Sequence, residues 1–567
     1  MNLHFISIFF LLIFLSESSY SQKTKHEKAY KITYNSLQNG TPAPGRDISL
    51  KYVNGVAYLS DEDDKIRSFI DYNNAQTVTI LDYQKELFKT QTPFDSLPQP
   101  TAGEQTEKIL GYSCNYATFF SFSNKIEVWY TNELNAKGSP YQSYLPTREA
   151  LVLKISINGT RSIVATKIEK LAKDSIPSYP LQGAKIVSTS ELEELKIKSR
   201  YTTFNVFENE IINFDPSLEI TSDEPLQANK TYHFSKGSVI LKKVTLPEVW
   251  KKGSQAFAKL TSWSNGDAYD RTGSVFILPA NSEKKSMLDA LQKGLDQLPV
   301  FTDNAGSEYQ GISSTANYDT PIEIMRFFTS FGIGYFNTRR VINNYPWEFE
   351  ATYKQEVTSL IPSAEDEIWV GVFIGNYDKG GHKVNLELDF YPSFEEEETP
   401  SHWVHPLFYT VNIMEMSGQN YGRLFSNDTL AVSFEVPKNA ENLQLLYTTT
   451  GHGGWGGGDE FNPKLNQIFI DGVEVFKIVP WRTDCATYRF YNPASGNFGN
   501  GLSSSDLSRS NWCPATLTPP EMILLNNLKP GKHRMQVVID QGADEGNSFS
   551  HWGVSGILIG DNPTTEK

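Results

Sequence analysis

Short runs of residues that alternate between apolar and polar recur along most of the chain. They include residues 29–34, 125–130, 151–155 and 383–391. Successive side chains of a β-strand point to opposite faces of a sheet, so a period of two is typical of half-buried strands. Asn-Gly pairs, which favour the tight turns of hairpins, begin at positions 39, 54 and 158. The pattern therefore predicts antiparallel β-structure.

The length of the chain indicates several domains, because 567 residues are too many for one hydrophobic core. Residues 22–238 are predicted to form a separate antiparallel β domain. Two consecutive regions, 239–397 and 398–567, each have room for about eight strands, which suggests two adjacent antiparallel jelly-roll sandwiches. The acidic run Glu395–Glu398 before Pro400 fits a linker between them. The predicted fold class is all-β.

The N-terminus is typical of a signal peptide. Residues 5–15 form an almost unbroken apolar run that is too short to span a bilayer, and Ser19-Tyr20-Ser21 before Gln22 fits a cleavage site. Residues 1–21 are therefore predicted to be removed, and the mature protein is expected to be secreted or periplasmic. An uncleaved anchor is the alternative, because the segment lacks Lys and Arg before the apolar run.

The three cysteines are compatible with an oxidising compartment. Cys485 and Cys513 enclose a loop rich in Gly, Ser and Asn, and a disulfide closing such a loop contributes about 3 to 4 kcal/mol in the chain-entropy model. Cys114 lies in a predicted strand, where a buried free thiol is expected.

The charge of the chain argues against two classes of partner. A formal net charge of −15 disfavours nucleic acid, and there is no polybasic patch for a membrane surface. Aromatic residues make up 13% and charged residues 21%, which indicates a globular rather than a disordered chain.

A glycine-rich loop is the first candidate site. Residues 451–458 contain six glycines, which allow a backbone to approach a ligand closely, and Asp459-Glu460-Phe461 follow them. Trp455 and Glu460 combine an indole face with a carboxylate, as a sugar site requires. The alternative is a surface loop with a solvated carboxylate.

A second candidate lies where a loop meets a strand. Residues 264–267 have the composition of a loop, and residues 275–278 that of a strand. Tyr269, Asp270 and Arg271 lie at the junction between them, and Trp263 precedes the loop. Taken alone, an Asp-Arg pair at the start of a strand is more often structural.

Together these motifs resemble the two-domain peptide-N-glycosidase F family, which comprises secreted bacterial amidases that act on asparagine-linked glycans. The resemblance covers about residues 240–560. It rests on Tyr269-Asp270-Arg271, residues 326–334, the stretch 451–472, Cys485, residues 508–514 around Trp512-Cys513-Pro514, and residues 523–527. The additional N-terminal region resembles that of a second family type, which carries a bowl-like N-terminal domain. The resemblance also implies the Cys485–Cys513 disulfide.

The resemblance assigns roles to individual residues. It implies that Asp270 is the essential acid, Arg271 its neighbouring charge, Glu460 the second acid and Arg509 a further catalytic residue. The residues expected to contact substrate are Tyr269, Trp263, Trp455, Phe461 and Trp512. A third family acid would fall within residues 373–376, where no carboxylate stands, and Asp378 is the possible substitute.

The implied reaction hydrolyses the amide between asparagine and N-acetylglucosamine with an activated water. We expect Asp270 to orient the water and take its proton, and Arg271 to keep this carboxylate ionised by lowering its pKa. Glu460 would bind the sugar or water from the opposite side, and Arg509 or Arg271 would stabilise the oxyanion.

No metal and no cofactor are expected, because His452 is a lone histidine among glycines. The expected partners are N-glycosylated peptides and glycoproteins, with no nucleic acid and no membrane after signal cleavage, and the protein is expected to be a monomer. Two alternatives stay open: a glycan- or glycopeptide-binding β-sandwich without catalysis, and an endoglycosidase, which also needs two carboxylates.

Overall fold

The computed structural model describes residues 29–43, 48–60, 65–171, 179, 183–218, 225–251, 254–362, 366–392, 401–453, 457–497, 501–544 and 549–562. The predicted signal peptide and the acidic run Glu395–Glu398 lie outside these residues. The chain divides into two compact units, Met1–Ser199 and Arg200–Lys567. Within the described part, no helix is both long and apolar enough to cross a membrane.

The first unit is built on one sheet of thirteen strands. Its strands are β1 (Ala29–Gln38), β2 (Thr41–Pro42), β3 (Ile48–Val53), β4 (Val56–Ser60), β5 (Ile66–Asp71), β6 (Gln76–Tyr83), β7 (Glu86–Pro93), β8 (Thr101–Ile109), β9 (Tyr112–Ser121), β10 (Asn124–Thr131), β11 (Leu151–Ile157), β12 (Arg161–Leu171) and β13 (Lys185–Ile186). One helix, α1 (Thr189–Ser199), follows them, and a 3-10 helix spans Phe94–Ser96.

Hairpin turns and alternating burial account for this sheet. Asn39, Asn54 and Asn158 have positive φ values of 50°, 51° and 52°, as the predicted Asn-Gly turns require. Along β1, Tyr30, Ile32 and Tyr34 are buried. The strands pair antiparallel except β13, which runs parallel to β7. The predicted antiparallel sheet is confirmed, whereas the bowl-like shape stays a prediction.

The second unit begins with strands of the first sandwich: β14 (Thr202–Ile212), β15 (Tyr232–Phe234), β16 (Val239–Thr245), β17 (Ser254–Ser264), β18 (Thr272–Pro279), β21 (Ile322–Phe328), β22 (Ala351–Glu356), β23 (Glu367–Ile374) and β24 (His382–Pro392). Between β18 and β21, β19 (Val300–Thr302) and β20 (Glu308–Gln310) form a separate two-stranded sheet. Two short helices accompany them, α2 (Glu248–Lys251) and α3 (Met287–Lys293). The strands of the second sandwich are β25 (Ser401–Tyr409), β26 (Leu430–Val436), β27 (Glu441–His452), β28 (Asn466–Ile470), β29 (Val473–Ile478), β31 (Glu521–Leu524), β32 (Gly531–Ile539) and β33 (His551–Asn562), with helix α4 (Leu424–Asn427).

One further strand, β30 (Leu517–Thr518), follows β29 in sequence but joins the first sandwich. The 3-10 helices of this unit are Ser235–Gly237, Leu295–Gln297, Thr358–Leu360, Glu415–Ser417, Cys485–Tyr491 and Ser504–Asp506.

Each sandwich encloses a core between two sheets. In the first, sheet β14-β24-β17-β22 faces sheet β15-β16-β23-β18-β21-β30, with Leu260 and Leu386 of one sheet and Ile277 and Val372 of the other in one apolar cluster. In the second, sheets β25-β33-β27-β31 and β26-β32-β28-β29 share another cluster. The all-β fold is confirmed. The second sandwich has the expected eight strands in its described part, whereas the first has ten.

The division between the units falls earlier than the boundary predicted after residue 238. Strand β14 pairs antiparallel with β24, which places Val206, Phe207 and Ile212 in the core of the first sandwich. The predicted boundary at 397/398 lies outside the described residues.

The two sandwiches are joined by a shared sheet edge and a buried polar network. Strand β30 pairs with β21, opposite Arg326 and Phe327. The fully buried Arg326 donates to both carboxylate oxygens of Glu323, at 2.6 and 2.9 Å, and to Thr450 Oγ1 and Gly553 O of the second sandwich, at 3.0 and 3.1 Å. The second unit therefore has one continuous interior.

The cysteine predictions are confirmed. Cys485 and Cys513 form a disulfide, with 5.1 Å between their Cα atoms. Cys114 is a buried free thiol whose pKa is raised to about 11 by burial.

Candidate active site

The loop between β17 and β18 carries Asp270 on a rigid base. Ser264 Oγ donates to Asp267 O at 2.6 Å, and the buried Asp267 carboxylate accepts the Tyr269 N–H at 3.0 Å. Arg271 N donates to Thr329 Oγ1 at 2.8 Å, which ties the loop to the end of β21. These bonds fix the backbone on both sides of Asp270.

The loop after β27 carries Glu460 in a similar way. Its neighbour Asp459 is fully buried, and the Asp459 carboxylate accepts Trp552 Nε1–H at 2.8 Å and Gly542 N–H at 3.0 Å. Ser510 N donates to Glu460 O at 3.0 Å. Asp459 therefore anchors the loop, and the Glu460 side chain is left for the site. Trp455 lies outside the described residues.

Arg509 brings the two acids together. Its Nη2 lies 3.2 Å from Asp270 Oδ2 and its Nε lies 2.9 Å from Glu460 Oε1. Its side chain is 1% exposed, and its guanidinium carbon lies 4.6 Å from the ring centre of Trp512 and 5.1 Å from that of Phe461. One cation thus serves a carboxylate from each sandwich.

Burial governs the protonation of both acids. It raises the pKa of Asp270, although the charges of Arg509 and Arg271 lower it. The pKa of Glu460 is raised to about 7. Burial and the charge of Asp270 raise this pKa, whereas Arg509 lowers it. With a pKa of about 7, Glu460 is able to hold or release a proton near neutral pH.

A cavity of about 150 Å³ opens beside Asp270. Its lining includes Arg271, Thr272, Phe373, Gly375, Tyr377, Thr410, Asn412, Glu415, Tyr421, His452 and His551. Rings follow one another along the wall: Tyr421 and His551 are 4.7 Å apart, His551 and His452 4.9 Å, and His452 and Trp512 5.5 Å. Burial lowers the pKa of His551 to about 4 and that of His452 well below its usual value, so both rings are neutral at pH 7.

The charge of Arg271 lowers the pKa of Asp270, as predicted, but the expectation that this keeps the pKa low is not met, because the pKa of Asp270 is raised. Arg271 forms its ion pair with Asp267, with Nε 2.8 Å from Oδ2 and Nη2 3.2 Å from Oδ1, and the burial of Asp270 outweighs the charge of Arg271. The Arg271 guanidinium also lies 5.1 Å from the ring of Tyr269 and 5.4 Å from that of Tyr377.

The remaining predicted contact residues differ in position. Tyr269 is 61% exposed next to Asp270, whereas Trp512 is buried, stacks on Phe328 at 4.2 Å and supports Arg509. Trp512 is therefore part of the core and not a platform for sugar. Trp263 lies at the end of β17 and does not line the cavity.

Asp378 does not take the place of the third family acid in the cavity. Its Oδ1 accepts the N–H groups of Gly380 and Gly381, at 2.7 and 3.3 Å, so this carboxylate stabilises a turn. Asp378 is not among the residues that line the cavity.

Four residues of the site were not predicted from the sequence: Asp267, Tyr377, Glu415 and Tyr421. The Tyr377 hydroxyl donates to the Glu415 carboxylate, and the Tyr377 and Tyr421 hydroxyl oxygens are 2.8 Å apart. One signal for Glu415 was available, because it is an acid between two methionines in a largely apolar stretch.

A metal centre finds no support in the described part of the chain. The single group of three side chains there with suitable spacing is Asp484, Cys485 and Cys513, and its sulfur atoms form the disulfide. Those sulfurs are not thiolates and do not bind a metal ion.

Comparison with known proteins adds three family matches. Residues 203–390 match the sequence model described as "Peptide-N-glycosidase F, N terminal", and residues 420–559 match "Peptide-N-glycosidase F, C terminal". Residues 62–194 match "N-glycanase peptide, N-terminal domain". No curated protein sequence gives a significant match.

Two solved structures resemble the chain over nearly its whole length. "Structure of PNGF-II in P21 space group" is 42% identical, with a TM-score of 0.80, covering 94% of this chain and 100% of that one. "Structure of PNGF-II in C2 space group" is 41% identical, with a TM-score of 0.75, covering 95% of this chain and 99% of that one.

Proposed function

This chain belongs to the peptide-N-glycosidase F family, and we propose that it hydrolyses the β-aspartylglucosaminyl amide bond of N-glycosylated peptides and proteins. The whole glycan leaves as a glycosylamine, and asparagine becomes aspartate. One observation carries the proposal: Arg509 contacts Asp270 and Glu460 together, beside a cavity.

In the proposed reaction, Asp270 acts on a water molecule. The carboxylate takes a proton as the water oxygen attacks the side-chain carbonyl carbon of the substrate asparagine. The C–N bond then breaks, and the proton is delivered to the departing nitrogen, so the products are a carboxyl group and a glycosylamine. Glu460, with a pKa of about 7, binds the water or the sugar from the opposite side and is able to relay this proton.

The two arginines have different tasks in this scheme. Arg509 donates from Nε to Glu460, from Nη1 to Ser504 O and from Nη2 to Asp270. It therefore positions the two acids and stabilises their negative charge. Arg271 uses Nε and Nη2 on Asp267, and its Nη1 makes no other hydrogen bond within the described residues. Arg271 also lines the cavity and is the better candidate to stabilise the oxyanion.

The test uses a denatured N-glycosylated peptide and mass spectrometry of the peptide product. The wild-type protein should remove the entire glycan and convert Asn to Asp, and Asp270→Asn should abolish this. Asp471→Asn is the matched control, because Asp471 lies in the β28–β29 turn at positive φ, which asparagine also accepts.

The other outcomes separate the alternative functions. A peptide that keeps one sugar on asparagine would identify an endoglycosidase. An unchanged peptide across several glycans and pH values would indicate a glycan-binding protein without catalysis.

We also propose that the protein is exported and acts as a monomer. Export is supported by the apolar run at 5–15 and by the disulfide, which persists in oxidising compartments. Mass spectrometry of the mature N-terminus in cell fractions and light scattering of the purified protein test the two parts. An intact N-terminus in the cytoplasmic fraction contradicts export, and a dimer mass contradicts the monomer.

A further inference from the structure

A third carboxyl group shares the cavity with Asp270. Glu415 belongs to the 3-10 helix Glu415–Ser417, after β25, and thus comes from the second sandwich, whereas Asp270 comes from the first. The positive charge that acts on Glu415 is that of Arg271, which lines the same cavity and lowers the pKa of this carboxyl group.

Two tyrosine hydroxyls hold this carboxyl group. Tyr377 donates to it, Tyr421 also hydrogen-bonds to it, and the two hydroxyl oxygens are 2.8 Å from each other. Burial raises the pKa of Glu415, while these hydroxyls and Arg271 lower it. A carboxylate has about four acceptor positions, so the two tyrosines leave capacity for a ligand.

The same cavity contains an unsatisfied donor. The side chain of Asn412 is buried, and its Nδ2 has no hydrogen-bond partner within the described part of the structure. Buried amide groups are nearly always satisfied, and an unpaired one in a cavity suggests a ligand or water. Asn412 and Glu415 are three residues apart and offer a donor and an acceptor.

Residues 373–376 of the first sandwich, where the resemblance places the third family acid, contain no carboxylate. Phe373 and Gly375 line the cavity, and a Cβ atom at Gly375 would lie 3.5 Å from the Phe373 ring, an ordinary contact. A larger side chain would therefore fit at position 375, yet the carboxyl group that joins Asp270 in the cavity is that of Glu415, from the second sandwich.

We propose that Glu415 is the third acid of the site and binds a hydroxyl group of the sugar next to the scissile amide, with Asn412 pairing to an acceptor on the same sugar. Tyr377 and Tyr421 are positioning residues for Glu415. The ligand class is a neutral hydroxylated sugar, because Asp270 and Glu415 disfavour an anion in the cavity. This inference rests on the proposed function and deepens it.

The test measures sugar binding and turnover separately. N,N′-diacetylchitobiose is titrated calorimetrically into the wild-type protein, Glu415→Gln and the control Glu435→Gln, whose residue lies exposed on β26. Glu415→Gln should weaken binding at least tenfold and raise KM for a short glycopeptide by a similar factor, with a smaller change in kcat. Glu435→Gln should change neither.

A second variant protects the test against a folding defect. Tyr421→Phe removes one hydroxyl but keeps the ring packed near His551, so it should weaken chitobiose binding by a smaller factor without lowering Tm. The inference is overturned if Glu415→Gln and Tyr421→Phe both bind chitobiose with wild-type affinity. It is also overturned if both variants lose affinity only because both have a lower Tm. The wild-type activity decides the proposed function independently, because an active wild type with unaffected variants refutes only the role of Glu415.

Discussion

At the scale of single residues, the site depends on the geometry of one guanidinium. Arg509 donates from Nε to one acid and from Nη2 to the other, and Trp512 and Phe461 hold its plane. A planar fork can serve two carboxylates at once, whereas a lysine ammonium is a compact point charge on a flexible stem. The orientation of Arg509, and not only its charge, is needed to hold both acids.

Arg509→Lys is therefore expected to lower kcat/KM by about 100-fold or more, which is typical for the loss of an organised charged donor. Steady-state kinetics on a glycopeptide measure this effect. Arg534→Lys, at an exposed position of β32, is the control and should retain full activity. Near-normal activity in Arg509→Lys would show that charge alone is enough.

Glu460 is expected to make stability depend on pH. Its pKa is about 7 in the folded protein, above the usual 4.5. The folded state therefore holds this proton more tightly, and its stabilisation is complete below about pH 4.5 and is lost as pH rises through 7. The difference corresponds to at most about 3 kcal/mol.

Chemical denaturation at pH 4.5 and pH 8 tests this expectation. Between these values the wild type should lose more unfolding free energy than Glu460→Gln, which cannot titrate at this position. Asp270 also has a raised pKa and interacts with Glu460, so the difference between the two proteins reports the titration of Glu460 together with its effect on Asp270. Parallel pH profiles for the two proteins would contradict the raised pKa.

The acids and Arg509 were predictable because they lie in short motifs that retain a recognisable local order. Asp267 and Glu415 were not, because their partners are set by loops, where no periodicity reports on side-chain direction. The pKa of Asp270 was only partly predictable for a related reason: the sequence shows the neighbouring charge of Arg271, which lowers this pKa, but not the burial that outweighs it.

At the scale of elements, strand periodicity predicted the sheets well but missed their connections. The alternation along β24 is confirmed by buried Val384, Leu386 and Leu388. Strand β30 has only two residues, too few for a period of two to be visible, and it pairs with β21 across the sandwiches. A pairing of this kind depends on tertiary packing and leaves no local pattern.

Arg326, within β21, should contribute strongly to stability. Arg326→Met leaves the buried Glu323 carboxylate without its cation and removes the bonds to Thr450 and Gly553. Breaking one side of a buried ion pair typically costs about 3 to 5 kcal/mol. Urea unfolding measures the loss, and the double variant Arg326→Met with Glu323→Gln should recover part of it. A single variant as stable as the wild type would contradict this role.

At the scale of the whole molecule, the second unit contains all the described site residues and its own cores. Asp270, Glu460, Arg509 and the cavity lie within residues 200–567. Chemistry that requires only these groups should therefore not require the first unit. The exact start of the second unit matters, since β14 closes one edge of its first sandwich.

Truncation tests where this unit begins. A protein starting at residue 200 should fold. It should convert Asn to Asp in a short glycopeptide to the same extent as the wild-type protein. A protein starting at residue 239 lacks β14 and with it the buried Val206, Phe207 and Ile212. Burial of three such side chains is worth about 5 to 9 kcal/mol, comparable with the total stability of a typical domain, so this shorter protein should be largely unfolded. Circular dichroism and thermal melts compare the two, and a cooperative melt at equal Tm would show that β14 is dispensable.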